Sequence, residues 1–393
     1  MSKVYIVSAV RTPIGKFGGA FADLPAEQLG AIVIKEAVRR AGIQEREISE
    51  VLMGCVIQAN QGQNVARQAA IHAGIPIEVP ASTINNVCGS SLKSVNLAAA
   101  LIKSGEADIV VAGGMENMSA APYALDKARF GYRMNDGKLS DTMIHDALWD
   151  AFNDYHMGVT AENVAQQYHI TRQEQDAFAA ESQQKCQRAR EQGKFIQEIV
   201  PVTVKMGKQM VEITADEYPR DGVTAESIAK LRPAFSKDGT VTAANSSGIN
   251  DGAAAVVLMS EQKVKELGIE PLAEWVAGAS VGVEPEVMGI GAGAAAVSVM
   301  KKAGVTVDEL SRIEANEAFA AQSIASARIA GWDGQMEKVN VNGGAISLGH
   351  PVGASGVRIL VTLIYELQRC GGGKGLATLC VGGGMGVATI IAS

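Results

Sequence analysis

The chain repeats itself, and a duplicated half restricts the possible fold more than any single motif does. The stretch from Ala26 to Gly54 has a counterpart from Met288 to Asn316. In each, a helix-like run ends at a glycine (Gly42, Gly304), an acidic patch follows, and an apolar strand begins (Val51, Ile313). The separation is the same at both pairs, and carried onward from Cys88 it lands on His350. After each of these comes another helix-like run and an apolar strand ending in glycines, Ile109 to Met115 in one copy and Leu376 to Met385 in the other. Two halves related by a pseudo-twofold axis can present a Cys and a His to one pocket, which is the geometry of an activated thiol nucleophile.

A chain of 393 residues is too long for one ordinary core, so two or three domains are expected. The first copy runs to about Ser119. It contains an apolar strand from Val4 to Ser8, a helix from Glu27 to Arg40, a strand from Val51 to Cys55, helices over Val65 to Ala73 and Ser91 to Ser104, and a buried strand from Ile109 to Ala112. From Ala120 to Gly248 the composition turns polar, with two amphipathic helices, Ala161 to Tyr168 and Arg172 to Gln192. The apolar strand Asn250 to Met259 returns to the first copy, and the second copy follows from Leu272. The expected division is 1–119 with 249–271 as one half, 120–248 as an insertion, and 272–393 as the other half. Alternating apolar strands and helices make it an α/β protein.

Net charge is −7, and no run of Lys or Arg suggests a nucleic-acid or anionic-membrane surface, although a local basic patch for a phosphorylated ligand remains compatible. The five cysteines form no Cys-x-x-Cys pair, as expected of free thiols in a reducing compartment. The segment through Val7 lacks the apolar core of a signal peptide, and no apolar run reaches membrane-spanning length. A soluble, cytoplasmic protein is expected.

Four segments carry chemistry. Cys88, in Asn86-Val87-Cys88-Gly89-Ser90-Ser91, precedes a helix start, where the dipole and free amides lower a thiol pKa; a core turn would also accept a small Cys there. His350 sits among glycines that let a ligand approach, with Pro351 suited to a first helical position, and it could also serve as a cap. Cys380 ends an apolar strand before Gly382-Gly383-Gly384, whose amides could bind an oxyanion. Alone it reads as structural; beside Cys88 it suggests a second proton-transfer group. Asn316 follows a strand and either faces solvent holding a water or substrate oxygen, or caps the helix after it. Two accessible, acidic thiols at one centre would also oxidise readily.

In these four motifs, in this order and spacing, the chain resembles the thiolases, specifically the bacterial biosynthetic type of acetyl-CoA C-acetyltransferase, from end to end. The resemblance implies the thiolase fold: two pseudo-twofold-related α/β halves with mixed five-stranded sheets and helices between them, plus an inserted loop domain that holds CoA. It implies reversible condensation of two acetyl-CoA to acetoacetyl-CoA and CoA through an acetyl-Cys88 intermediate. His350 would assist Cys88, and Cys380 would move the α-proton. One oxyanion hole would come from His350 and a water on Asn316, the other from the amides of Cys88 and Gly382.

The resemblance also implies a CoA site. Tyr155-His156-Met157-Gly158 resembles the pantetheine-side motif, with Leu148 shortly before it. Arg220, Ser227, Phe235, Ala243 and Ser247 stand where thiolases contact CoA, and Met288, Ala318 and Phe319 where they wall the acyl end. CoA thioesters are substrates, so no cofactor and no metal are implied. The expected assembly is a homotetramer, a dimer of dimers, with residues near Lys127 to Lys138 as a contact. Three departures stand out: Ser347 replaces the family's Ala, Ala292 a Pro, and Ala244-Asn245-Ser246-Ser247-Gly248 the usual Gly-Asn-Ala-Ser-Gly. Of these, Ser347 bears on the surroundings of His350. The alternatives are a degradative 3-ketoacyl-CoA thiolase of broader chain length, a ketosynthase, which would use two His, and a non-catalytic acyl-CoA binder, which would not need both Cys88 and Cys380.

Overall fold

The computed structural model describes residues 3–393. Two runs, Ile109–Asn117 and Asn250–Ser260, are buried at every position. Strands apolar on both faces must lie inside a sheet with helices on either side. Nine main strands build around them: β1 (Val4–Arg11), β2 (Glu50–Gly54), β3 (Ala81–Ile84), β4 (Ile109–Asn117), β5 (Asn250–Ser260), β6 (Ala273–Gly282), β7 (Leu310–Ala315), β8 (Lys374–Val381) and β9 (Met385–Ala392). The first half orders them β3-β2-β4-β5-β1 and the second β6-β9-β8-β7. Both sheets are mixed: β2 runs parallel to β3 and β4, and β7 parallel to β8. They join where Val4, Tyr5 and Ile6 pair with Trp275, Glu274 and Ala273. In the second sheet the fifth position is one parallel bridge, Ile313 to Val339. There the Asn340 side chain, on left-handed backbone (φ 45°), bonds both the N–H and the C=O of Ala315 (2.9 and 2.8 Å) and takes the place of a ladder.

The helices are α1 (Ala26–Ala41), α2 (Val65–His72), α3 (Ser90–Ser104), α4 (Met157–Gln167), α5 (Arg172–Glu191), α6 (Gly291–Ala303), α7 (Ala320–Ala330), α8 (Ala345–Leu348) and α9 (Ser355–Arg369), with two further short helices at Ala225–Ile228 and Glu261–Leu267. The repeat is visible in the caps: α1 and α6 both end at left-handed glycines, Gly42 (φ 68°) and Gly304 (φ 64°). Helices α1 and α2 cover the outer face of the first sheet, and α6 and α7 that of the second. Between the sheets lie α3 and α9, whose Leu92, Val95, Leu360 and Leu363 share one core with residues of both sheets. The layers therefore run helix, sheet, helix, sheet, helix.

Residues 120–248 contribute α4, α5, the hairpin Val202–Ile213 and long loops. Buried Arg11 of β1 ties this segment down. Its guanidinium bonds both oxygens of Asp216 (2.7 and 3.0 Å) and one of Glu198 (2.6 Å). A bidentate fork of this kind suits Arg and not Lys.

The middle layer is tight. A Cβ on Gly356 of α9 would lie 2.5 Å from the backbone N of Leu92 and 2.7 Å from its Cβ. Gly356→Ala should therefore destabilise the protein by about 1–3 kcal/mol, read as a lower urea midpoint. Gly334→Ala, where a Cβ meets open space, should stay within about 0.5 kcal/mol.

Candidate active site

The starts of α3 and α9 meet at the floor of a cavity of about 690 Å³, and Cys88 and His350 both line it. Each side chain is aimed by a tight turn. Val87 adopts φ 43°, an uncommon conformation for a β-branched residue. Ser90 locks that turn: its Oγ accepts from Asn86 N–H (2.9 Å) and donates to Val87 C=O (2.6 Å). The Cys88 thiol then meets the backbone amides of Gly382 and of Cys88 itself. On the other side, Pro351 heads a turn closed by Ala354 N–H to Pro351 C=O (2.9 Å), and the helix starts only at Ser355. Pro351 is therefore not the first helical residue. The backbone N–H of His350 donates to Asn250 Oδ1 (2.9 Å).

Burial governs the electrostatics. Removal from water pushes the Cys88 thiol up to about 11, and the Gly382 and Cys88 amides pull it only partly back. The acidic thiol expected from a helix start is thus overridden by desolvation. His350 is held down at about 3, first by burial and then by the Arg358 guanidinium, so its imidazole is neutral. Its Nδ1 lies 2.6 Å from Ser355 Oγ, and that hydroxyl donates to Pro351 C=O (2.9 Å). With its one proton committed, Ser355 accepts from Nδ1–H, which leaves the lone pair on Nε2. Nε2 lies 3.5 Å from Asn316 Nδ2.

Cys380, the penultimate residue of β8, is buried and is not on the cavity wall. Burial first, and then the neighbouring Cys88, raise its thiol far above the usual range. Both cysteines are unbridged and raised, so neither has the acidity on which ready oxidation depends. Asn316 is fully buried, contrary to the expected exposed position, and it is no helix cap, because α7 begins at Ala320 after Phe319. Its Oδ1 has no partner among the described residues. Next to it, the Glu317 carboxylate accepts from Ser182 Oγ (2.6 Å), Asn340 Nδ2 (2.8 Å) and Ile346 N–H (3.2 Å).

Most of the expected ligand contacts line the same cavity: Leu148, His156, Met157 and Phe235, then Arg220, Ala243 and Ser247, and at the apolar end Met288, Ala318 and Phe319. His156 Nδ1 caps α4 by accepting from Gly158 N–H (3.0 Å), and its ring stacks on Phe235 at 4.8 Å. Phe235 in turn meets Phe319 edge-on at 6.1 Å. Gly382 is absent from the wall, but its amide meets Cys88 Sγ from behind. Ser227 is not on the wall either; its Oγ and N–H bond Thr224 on the short helix Ala225–Ile228. Among the described residues the Ser347 hydroxyl makes no hydrogen bond to His350; it bonds Ser182 Oγ (3.0 Å) and Gly344 C=O (2.9 Å).

Residues that the sequence reading did not name include Lys16, Phe17, Met118, Tyr218 and Val352 on the wall, and Asn250 and Ser355 behind His350. One of these left a trace: Asn250, with Asp251, is a polar pair opening a strand whose centre is apolar and whose every position is buried. Among the described residues, no group of three or more His, Cys, Asp or Glu could hold a metal ion.

Family models for the thiolase N-terminal and C-terminal domains match residues 4–262 and 269–393. An acetyl-CoA acetyltransferase of Syntrophomonas wolfei is 58% identical over 391 residues, covering 99% of this chain and 98% of its own. One from Cupriavidus necator is 57% identical over 392 residues, covering 100% and 99%. Among solved structures, the Bacillus anthracis acetyl-CoA acetyltransferase superposes with a TM-score of 0.97 at 46% identity, covering 100% of this chain and 99% of that one.

The raised thiol sets a pH dependence. A group whose pKa lies near 11 is mostly neutral at pH 7, and its thiolate fraction grows about tenfold per pH unit until pH nears the pKa. Iodoacetamide should therefore alkylate Cys88 at a rate that climbs from pH 7 to 10 without a plateau, with Cys88→Ser assigning the label. A plateau below pH 8 would contradict the desolvated thiol.

Proposed function

The chain belongs to the thiolase family, and from that premise we propose how its two thiols and one imidazole perform the family's reaction. The reaction is the reversible condensation of two acetyl-CoA to acetoacetyl-CoA and CoA, an acyl transfer. The observation that carries the residue roles is that Cys88 and His350 share one cavity floor while Cys380 stands directly behind Cys88.

In the first half-reaction Cys88 sulfur attacks the acetyl carbonyl as its proton passes to His350 Nε2. The carbonyl oxygen gains charge, and the amide hydrogens of Cys88 and Gly382 stabilise it. The carbon–sulfur bond to CoA breaks, and the leaving thiolate takes the proton of Cys380. Acetyl-Cys88, an imidazolium and a Cys380 thiolate remain. A second acetyl-CoA then enters. Cys380 removes a methyl proton, and the enolate oxygen accepts from His350 Nε2–H and from a water held by Asn316 Oδ1. The enolate carbon attacks acetyl-Cys88. Acetoacetyl-CoA leaves, and Cys88 recovers its proton from His350. A buried, neutral His suits this cycle, because its positive charge exists only while a thiolate or oxyanion stands beside it.

The cavity also fits the rest of the ligand. Lys16 and Arg220 on its wall complement phosphates, and His156 and Phe235 offer flat, half-apolar surface to a pantetheine arm. Met157, Met288 and Phe319 close the acyl end with bulk, which supports short chains; a broader degradative thiolase is not favoured. We assign residues 120–248 to CoA binding, and the cytoplasm as the compartment that keeps five thiols reduced. No helix among the described residues is long and apolar enough to cross a membrane.

A homotetramer built from dimers accounts for the segment around residues 123–139. There Phe130 and Met134 stand 91% and 84% exposed, and such apolar surface calls for a partner. Substituting both by Asp should yield a particle of about half the native mass by light scattering, with turnover retained.

Cys380→Ser tests the division of labour between the thiols. Mass spectrometry after brief exposure to acetyl-CoA should still find acetyl on the Cys88 peptide. Exchange of the acetyl-CoA methyl protons should fall ~10²–10⁴-fold, the scale for a positioned acid–base group. Label on Cys380 alone in the native protein, or unchanged exchange in the variant, would reverse the roles.

A further inference from the structure

Helix α5 carries a side chain that bridges two parts of the site. Gln183 is buried, and its amide is used at both ends: Oε1 accepts from the backbone N–H of Arg220 (3.0 Å), and Nε2 donates to the backbone C=O of Ile346 (3.2 Å). Arg220 lines the cavity wall. Ile346 lies in α8, the short turn that delivers the chain to Gly349 and His350.

Neighbouring contacts reinforce both ends. Toward the catalytic side, Ser182 bonds Glu317 (2.6 Å), Ser347 (3.0 Å) and the N–H of Gly344 (3.2 Å), and Glu317 adjoins Asn316. Toward the ligand side, Gln187 Oε1 accepts from Gly222 N–H (3.0 Å) and Arg190 pairs with Asp221 (2.7 Å). One face of α5 thus grips the 220–222 loop and the turns carrying Asn316 and His350. Both partners of Gln183 are backbone groups, so one buried amide connects the main chain at Arg220 to the main chain at Ile346.

We propose that Gln183 is a positioning residue that couples occupation of the Arg220 side of the cavity to the placement of His350. The nucleotide end of CoA, held by Arg220 far from the reacting carbon, then contributes to the rate of acyl transfer as well as to affinity. Binding energy at a remote group raises kcat only if it is realised in the transition state. A displacement of about 1 Å at a reacting group costs on the order of 10²-fold, so a small shift transmitted through one amide suffices. The proposal rests on the acetyl-Cys88 reading above.

The test compares acetyl-CoA with S-acetyl-pantetheine, which lacks the nucleotide, as donors to Cys88. Released thiol is followed in a single turnover at saturating donor. The native enzyme should be acylated about 10–100-fold faster by acetyl-CoA. In Gln183→Leu that advantage should collapse to within about threefold, with the S-acetyl-pantetheine rate unchanged. Gln183→Glu keeps the acceptor for Arg220 but loses the donor for Ile346, and it should lose the advantage too. Three results would overturn the coupling: no advantage for acetyl-CoA in the native enzyme, equal slowing with both donors in either variant, or a raised KM with the acetyl-CoA rate intact. Failure of the native enzyme to acylate Cys88 at all would instead refute the acetyl-enzyme reading itself, which keeps the two apart.

Discussion

The close approach of α3 and α9 is the contact on which the rest depends. Each helix comes from one half of the repeat, and they meet where side chains are smallest. Gly356 faces Leu92, and Ser91 Oγ accepts from Val357 N–H (3.0 Å). The carbonyl of Gly353 sits against Gly54 and Gly114, where a Cβ would not fit. Only this proximity lets a thiol at the start of one helix and an imidazole before the start of the other share a cavity floor. The Glu116 carboxylate strengthens the junction by accepting from Val56 and Ile57 N–H on one half and Gly353 N–H on the other (3.0, 3.1 and 2.8 Å).

Burial at this junction has a chemical consequence. Desolvation raises both thiols and lowers the imidazole, so the resting site holds neutral groups. Charge then appears only during reaction, in a place where fixed dipoles replace water. Amides preorganised toward a developing oxyanion act most strongly in such surroundings. The Nδ1 hydrogen bond to Ser355 matters for the same reason: it fixes which ring nitrogen can take a proton.

The segment 120–248 is held to this frame by shared apolar clusters, such as Met157, Ala161 and Val241 against Met288 and Phe319, and by buried polar contacts. Arg11 with Asp216 and Glu198, Glu317 with Ser182, and the Gln183 bridge all cross from it to the two halves. Buried polar links are directional, so they set orientation where apolar packing would allow sliding. That suits the proposed role of Arg220, His156 and Phe235 as a wall for the CoA moiety.

By itself the sequence determined the duplication, the α/β class and the four motifs that mark the thiolase family. These are local properties: periodicity, glycine caps at Gly42 and Gly304, and residue types before helix starts. Through the thiolase resemblance it also named half of the cavity wall, including His156, Arg220, Phe235 and Met288. Protonation and tertiary placement were decided elsewhere. The raised Cys88 thiol, the buried position of Asn316 and the Ser355–His350 contact depend on what is packed around each group, and no window of sequence contains those neighbours. Lys16 was missed for the same reason, since it reaches the cavity from a segment far from the others, whereas Tyr218 and Val352 lie two residues from Arg220 and His350 and only the folded backbone turns them to the wall. Likewise Ser227, plausible by position, turns its hydroxyl to Thr224 once its helix is folded. Sequence specifies which groups are available; three-dimensional packing decides how much water each one keeps, and hence its charge and reach.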